Sequence, residues 1–159
     1  MTEIILYTKI NAAKPIVFDL SRNIDFHQQS LSHTSEKAIA GRTSGRIELG
    51  ETVTWKAKHF GFNLTHQSKI TEMHYPNSFT DEMLEGNFAS FVHYHYFESD
   101  EEGNTIMIDE LFYETPYGII GKIVDVLVLK KYLQRLIEKR NKTIKKVAEK
   151  KQSGSVKPL

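Results

Sequence analysis

The sequence predicts an α+β fold in which a curved antiparallel sheet of about six to seven strands wraps around one long C-terminal helix, with two short helices after the first strand. Three observations carry this prediction. From Thr52 to His59 the side chains alternate. Val53, Trp55, Ala57 and His59 share one face and Thr52, Thr54, Lys56 and Lys58 the other, which marks a strand with one wet side. Further strand-like runs follow at close spacing, separated by Tyr75-Pro76-Asn77, Glu85-Gly86-Asn87 and Asp100-Glu101-Glu102-Gly103-Asn104. Turns this short join antiparallel neighbours into a meander. After Pro116 the period changes: Val126, Leu129, Leu133, Leu136, Ile137, Ile144 and Val147 fall on one helical stripe.

The elements are justified in chain order. Thr2–Ile10 is β-rich and forms the first strand. Asn11 is the expected N-cap of a short helix with Pro15 in its first turn, because Ile16, Val17 and Leu20 recur at helical spacing. A second short helix is expected within Ser21–Ser30, with Asp25 as an alternative cap. The predicted strands are then Ser32–Ala40, Gly45–Gly50, Thr52–His59, Phe62–Met73, Ser78–Leu84, Phe88–Glu98 and Thr105–Glu114, with a tight hairpin turn at Gly61. The long helix is expected from Ile119 to Lys150. Its first turns are apolar almost all round, which predicts burial on more than one side.

At 159 residues the chain has the length of one domain, read as a ligand-binding domain over 1–150 and a flexible polar tail over 151–159. The absence of cysteine excludes disulfides, thiol nucleophiles, iron–sulfur clusters and Cys-ligated zinc. The start Met1–Leu6 lacks the basic and apolar regions of a signal peptide, and no window approaches ~20 apolar residues, so a cytoplasmic protein without stable membrane insertion is expected. Residues 1–121 carry 9 Lys/Arg against 17 Asp/Glu, and residues 122–159 carry 12 against 3. The strands are thus acidic, which argues against nucleic acid, and the basic stretch reads as a solvated lysine face on the helix. No phosphate-binding glycine loop, G-x-S-x-G elbow or H-E-x-x-H zinc motif occurs.

A curved sheet gripping a helix leaves space between them, and apolar walls with a few convergent polar groups define a small-molecule site. Strand parity places Trp55, His59, Phe62, Phe79, Met83, Phe91, Phe97 and Met107 on the expected inner face, with Ile123 and Leu127 opposite on the helix. The same parity aligns His93 and His95 with Phe91 and Phe97, Asp109 with Met107 and Leu111, and Asp81 with Phe79 and Met83. Three readings of this His/Asp cluster stay open. It can be a hydrogen-bonded group that fixes strand register and orients a ligand, or an acid–base pair acting on a carbonyl compound. It can also be a metal site, since His-x-His is a ligand spacing to which Asp81, Asp109 or His66 could add. No histidine follows His95, so the cupin pattern is absent, and the expectation is no metal. Glu51 shares the parity of Trp55 and is a further candidate inward carboxylate.

The element order, with Glu48–Gly61, Asp81-Glu82-Met83, His93–Phe97, Asp109-Glu110 and Pro116-Tyr117-Gly118, resembles the START-like helix-grip superfamily (SRPBCC) of polyketide cyclase/dehydrase and lipid-transport proteins. The resemblance spans about Glu3 to Ala148 and implies the helix-grip fold. It specifies activity poorly, because members include enzymes, carriers and sensors. It implies binding of a small hydrophobic molecule between sheet and helix, as a carrier or sensor. The alternative is a cyclase, dehydratase or isomerase using His93, His95, Asp81 and Asp109. No cofactor is expected, and the protein should be a monomer or weak homodimer.

Overall fold

The computed structural model describes residues 1–154; the part of the expected tail from 155 to 159 lies outside them. Seven strands form one antiparallel sheet: β1 (Thr2–Ile10), β2 (Lys37–Gly41), β3 (Thr52–His59), β4 (Phe62–His74), β5 (Ser78–Glu85), β6 (Ser90–Ser99) and β7 (Thr105–Glu114). Their spatial order is β1-β7-β6-β5-β4-β3-β2. From β2 to β7 the chain is the meander its turns predict, and β1 closes onto β7 with Leu6 opposite Asp109.

Two short helices, α1 (Lys14–Ser21) and α2 (Ile24–Ser30), cross between β1 and β2. Their caps differ from expectation. The α1 cap is Ala13, without a side-chain bond, and Asn11 instead gives its backbone N–H to Glu149. Asn23, not Asp25, caps α2 by accepting from the Phe26 N–H, and Asp25 Oδ2 accepts from the Gly45 N–H. The expected strand at Ser32–Ala40 begins only at Lys37, because Ser32–Thr34 forms a 3₁₀ turn. Gly45–Gly50 forms no strand beyond a single bridge between Asn23 and Arg46. Phe60 and Gly61, both at positive φ, make the two-residue turn of the β3–β4 hairpin, the geometry whose twist matches the strands.

The C-terminal helix is continuous in three parts: α3 (Gly118–Val124), a π-helical turn (Asp125–Leu129) and α4 (Lys130–Gln152). The expected burial of its first turns is not found. Gly121 and Asp125 face inward, and Ile119, Ile120, Ile123, Val124, Val126, Leu127 and Val128 are all exposed. Two contacts explain this. Asp125 accepts hydrogen bonds from the Tyr113 and Thr2 hydroxyls, which holds the polar residue against β7 and β1. A Cβ on Gly121 would lie 2.0 Å from the Pro116 carbonyl oxygen, so glycine lets the helix start press onto the preceding loop. With this line turned to the sheet, the aliphatics point outward.

Further along, Ile137, Ile144 and Ala148 are buried. Ile144 and Ala148 join Val17, Phe18, Phe79, Phe97 and Met107 in the main core, while Ile137 packs with Ile4, Leu111 and Tyr113 in a smaller one. The helix runs past the expected domain end at 150, and Gln152 accepts a hydrogen bond from the Ala13 N–H. No helix among the described residues is long and apolar enough to cross a membrane.

Candidate functional site

The end of the sheet beneath α1 is solid, and the other end holds a cavity of about 260 Å³ between β3–β6, α2 and α4. Where the core is filled, sequence expectations for the cavity wall fail. Phe97 is buried against Phe18 and Phe79, and Met107 is fully buried beside Ser21, because α1 covers that part of the sheet. Phe62 stands 69% exposed at the hairpin tip, beyond the reach of the helix. Met83 pairs with Ser68 near the end of β5 and folds against the turn at Gly86 instead of the cavity. Ile123 and Leu127 are exposed for the reason given above. Glu51 pairs with Arg42 at the edge of the sheet and is no inward carboxylate.

Trp55, His59, Phe79, Asp81, Phe91, His93 and His95 do line the cavity. The sheet register brings the polar ones together. Asp81 on β5 lies opposite His93 on β6, and His95 lies opposite Asp109 on β7. The hydrogen bonds run diagonally as well as across. His93 Nε2 and His95 Nδ1 each lie 3.0 Å from Asp109 Oδ1, and His95 Nε2 lies 2.9 Å from Asp81 Oδ2. Asp109 has no exposed surface and sits behind the histidines, not on the wall. From α4, Arg140 reaches Asp109 Oδ1 at 3.4 Å and Asn141 donates to Oδ2 at 2.7 Å.

This arrangement sets the charges. Burial would raise the Asp81 carboxyl, but hydrogen bonding and the charge of His95 outweigh it and hold Asp81 at about 2. Asp109 is held well below the carboxylate range against the same burial penalty by its bonds to His93 and His95. Burial opposes the charged form of His95, yet carboxylates at both ring nitrogens raise it, so both nitrogens donate. His93 moves the other way: burial and the neighbouring His95 charge lower it. Two carboxylates thus balance the His95 imidazolium and the Arg140 guanidinium, the compensation that buried charges require.

A second polar group occupies the far wall. Glu36, kept ionised despite burial by His27, His59 and His66, lies 3.4 Å from His27 Nε2. His59 Nδ1 is 2.6 Å from the Tyr132 hydroxyl of α4. Five of the seven histidines in the chain, His27, His59, His66, His93 and His95, line this one cavity. Sequence parity alone missed His27, Glu36, Tyr132, Arg140 and Asn141. A signal existed for the last two: between Ile137 and Ile144 the inward stripe of the helix is interrupted by Arg140 and Asn141, which a buried helix tolerates only opposite polar partners. For a metal, Asp81, His93 and His95 each offer one ligand atom within 4.8 Å of the others.

Comparison with known proteins agrees with this geometry at the level of the fold. No family model matches the chain, and no curated protein matches its sequence. Among solved structures, the TTHA0849 protein of Thermus thermophilus superposes with a TM-score of 0.70 at 19% identity, covering 90% of this chain and 97% of that one. The major latex-like protein 151 of Panax ginseng gives 0.65 at 16% identity, over 92% and 97% of the two chains. The CV1439 protein of Chromobacterium violaceum gives 0.69 at 10% identity, over 92% and 96%. The chain has the helix-grip fold. In this helix-grip protein the sheet and the C-terminal helix enclose the cavity, and the polar cluster lies at its base.

Proposed function

We propose that the protein binds a small, largely hydrophobic molecule with one polar group in the cavity between sheet and α4, as a carrier or sensor. The observation that carries this reading is the cavity itself, an apolar wall of Trp55, Phe79, Phe91, Leu133 and Ile137 facing the charged patch of Asp81, His93 and His95. Its 260 Å³ stands near the lower edge of ordinary small-molecule sites, roughly 300–1,000 Å³. The apolar wall supplies affinity and the patch supplies orientation.

The test is titration with an apolar fluorescent probe, read through Trp55, together with native mass spectrometry of the purified protein. Saturable one-to-one binding is expected. Leu133→Trp, which fills the cavity, should weaken binding at least tenfold. Absence of saturable binding, or binding indifferent to Leu133→Trp, overturns the reading.

A second reading, an acid–base enzyme of the isomerase or dehydratase type, is favoured by one observation. The neighbouring rings of His93 and His95, 3.9 Å apart, are pushed in opposite directions by their surroundings. Such a split separates a proton acceptor from a donor. His93→Gln would then abolish turnover of a bound carbonyl compound while leaving its affinity unchanged. In a carrier the same variant changes affinity alone.

A further inference from the structure

We propose that Asp81, His93 and His95 form a binding site for one divalent transition-metal ion at the base of the cavity. The proposal is independent of whether a hydrophobic molecule binds above it.

One donor atom from each of the three residues lies within 4.8 Å of the others. An ion holding nitrogen and oxygen ligands at ~2.0–2.2 Å requires donors within ~4 Å of each other. Small rotations of Asp81 and His93, both only part-buried, cover that difference.

The stronger argument is Asp109. Its Oδ1 engages Nε2 of His93 and Nδ1 of His95 at 3.0 Å each. It therefore holds one nitrogen of each ring; of the second nitrogens, Nε2 of His95 already faces Asp81 Oδ2, and that of His93 is Nδ1. This is the carboxylate–histidine–metal arrangement, in which an outer carboxylate fixes tautomer and ring direction. Asp109 is itself pinned by Arg140 and Asn141 and has no exposed surface, so it orients the ligands without being one.

The 2.9 Å contact between His95 Nε2 and Asp81 Oδ2 is closed by a proton on the nitrogen. When the ion binds, that proton leaves to solvent and both atoms turn to the metal. Asp81 and His93 line the cavity, so the remaining coordination positions open toward it. Two imidazoles and one carboxylate with open positions suit iron(II), cobalt(II) or zinc over calcium or magnesium.

The experiment titrates the chelator-treated protein with Co²⁺ alone, following visible absorption and heat. One equivalent should bind and develop ligand-field bands. Asp81→Asn and His93→Gln, checked for unchanged circular dichroism, should each weaken uptake at least tenfold. Asp109→Asn, if it folds, should cost about 10–100-fold through lost orientation. His74→Gln, at the far end of β4, should leave uptake unchanged. No saturable uptake, or uptake equal in wild type and Asp81→Asn, overturns the proposal. A titration of the same samples with the apolar probe reports on the cavity separately, so failure of one reading is distinguishable from failure of the other.

Discussion

Asp109 is the residue on which the interior polar network depends. Its carboxylate meets His93, His95, Arg140 and Asn141 at a point with no access to water. Removing one partner of a buried ion pair leaves the other charge uncompensated, at a cost of about 3–5 kcal/mol. Asp109→Ala should therefore lower unfolding free energy in urea by that order, and a loss below ~1 kcal/mol would show that the network is not closed as described. The network also predicts a pH profile. His95 is raised above 6.5, so its contribution is full below that value and is lost as pH rises through its folded pKa. His59, His66 and His93 are lowered, so the unfolded chain takes up protons first and stability falls as pH drops below 6.5. Asp81 and Asp109 contribute in full above their ordinary value of 3.8; Asp81 loses its contribution as pH falls toward about 2, and Asp109, held well below 3.8, loses its own on the same acid side. Thermal denaturation should show a maximum near neutrality, and His95→Gln should remove the decline on the alkaline side. Wild type and variant declining alike above neutrality would contradict the raised His95.

The helix start shows why hydrophobicity and burial are separate questions at the scale of an element. Asp125 is buried and doubly hydrogen-bonded, while Leu127 is 68% exposed. Large apolar patches that remain exposed mark surfaces that other molecules touch. They contribute little to the stability of the monomer. Leu127→Ser should change unfolding free energy by no more than ~0.5 kcal/mol, whereas Ile144→Ala, with no exposed surface, should cost about 2–5 kcal/mol. Equal costs at the two positions, measured by denaturant titration, would mean that the helix start is buried after all.

At the scale of the molecule, the last turns of α4 fasten the fold. Glu149 accepts a hydrogen bond from the Asn11 N–H at 3.0 Å, and Gln152 accepts one from the Ala13 N–H at 3.3 Å. These bonds tie the helix end to the link between β1 and α1. Gln152 falls in the stretch read from sequence as a flexible polar tail, yet with Glu149 it holds this link. Truncation after Ala148 should destabilise the protein by about 1–3 kcal/mol, two hydrogen bonds at ~0.5–1.5 kcal/mol each. Calorimetry showing an unchanged melting temperature would contradict the fastening.

The sequence by itself determined the architecture. Period-2 alternation and short polar turns dictate a meander, and a 3.6-residue stripe dictates a helix to cover it. Thr52–His59 and Thr105–Glu114 begin and end where their patterns do. Parity likewise determined that His93 and His95 share a face, because side chains two residues apart along a strand cannot do otherwise, and it put Asp81 on the face of Phe79. Tertiary structure alone decided what each inward residue meets. Phe97 and Met107 share the inner face with His95, but α1 lies over them and leaves no space, while the other end stays open. The orientation of the helix start was also undecided locally. A segment apolar all round has no preferred face, and the buried bonds of Asp125 to Tyr113 and Thr2, residues distant in sequence, fixed its rotation. For the same reason Glu36 entered the site unannounced, and the break that Arg140 and Asn141 make in the helix stripe did not say what they meet: a polar side chain becomes part of a site through partners that only the folded chain brings to it.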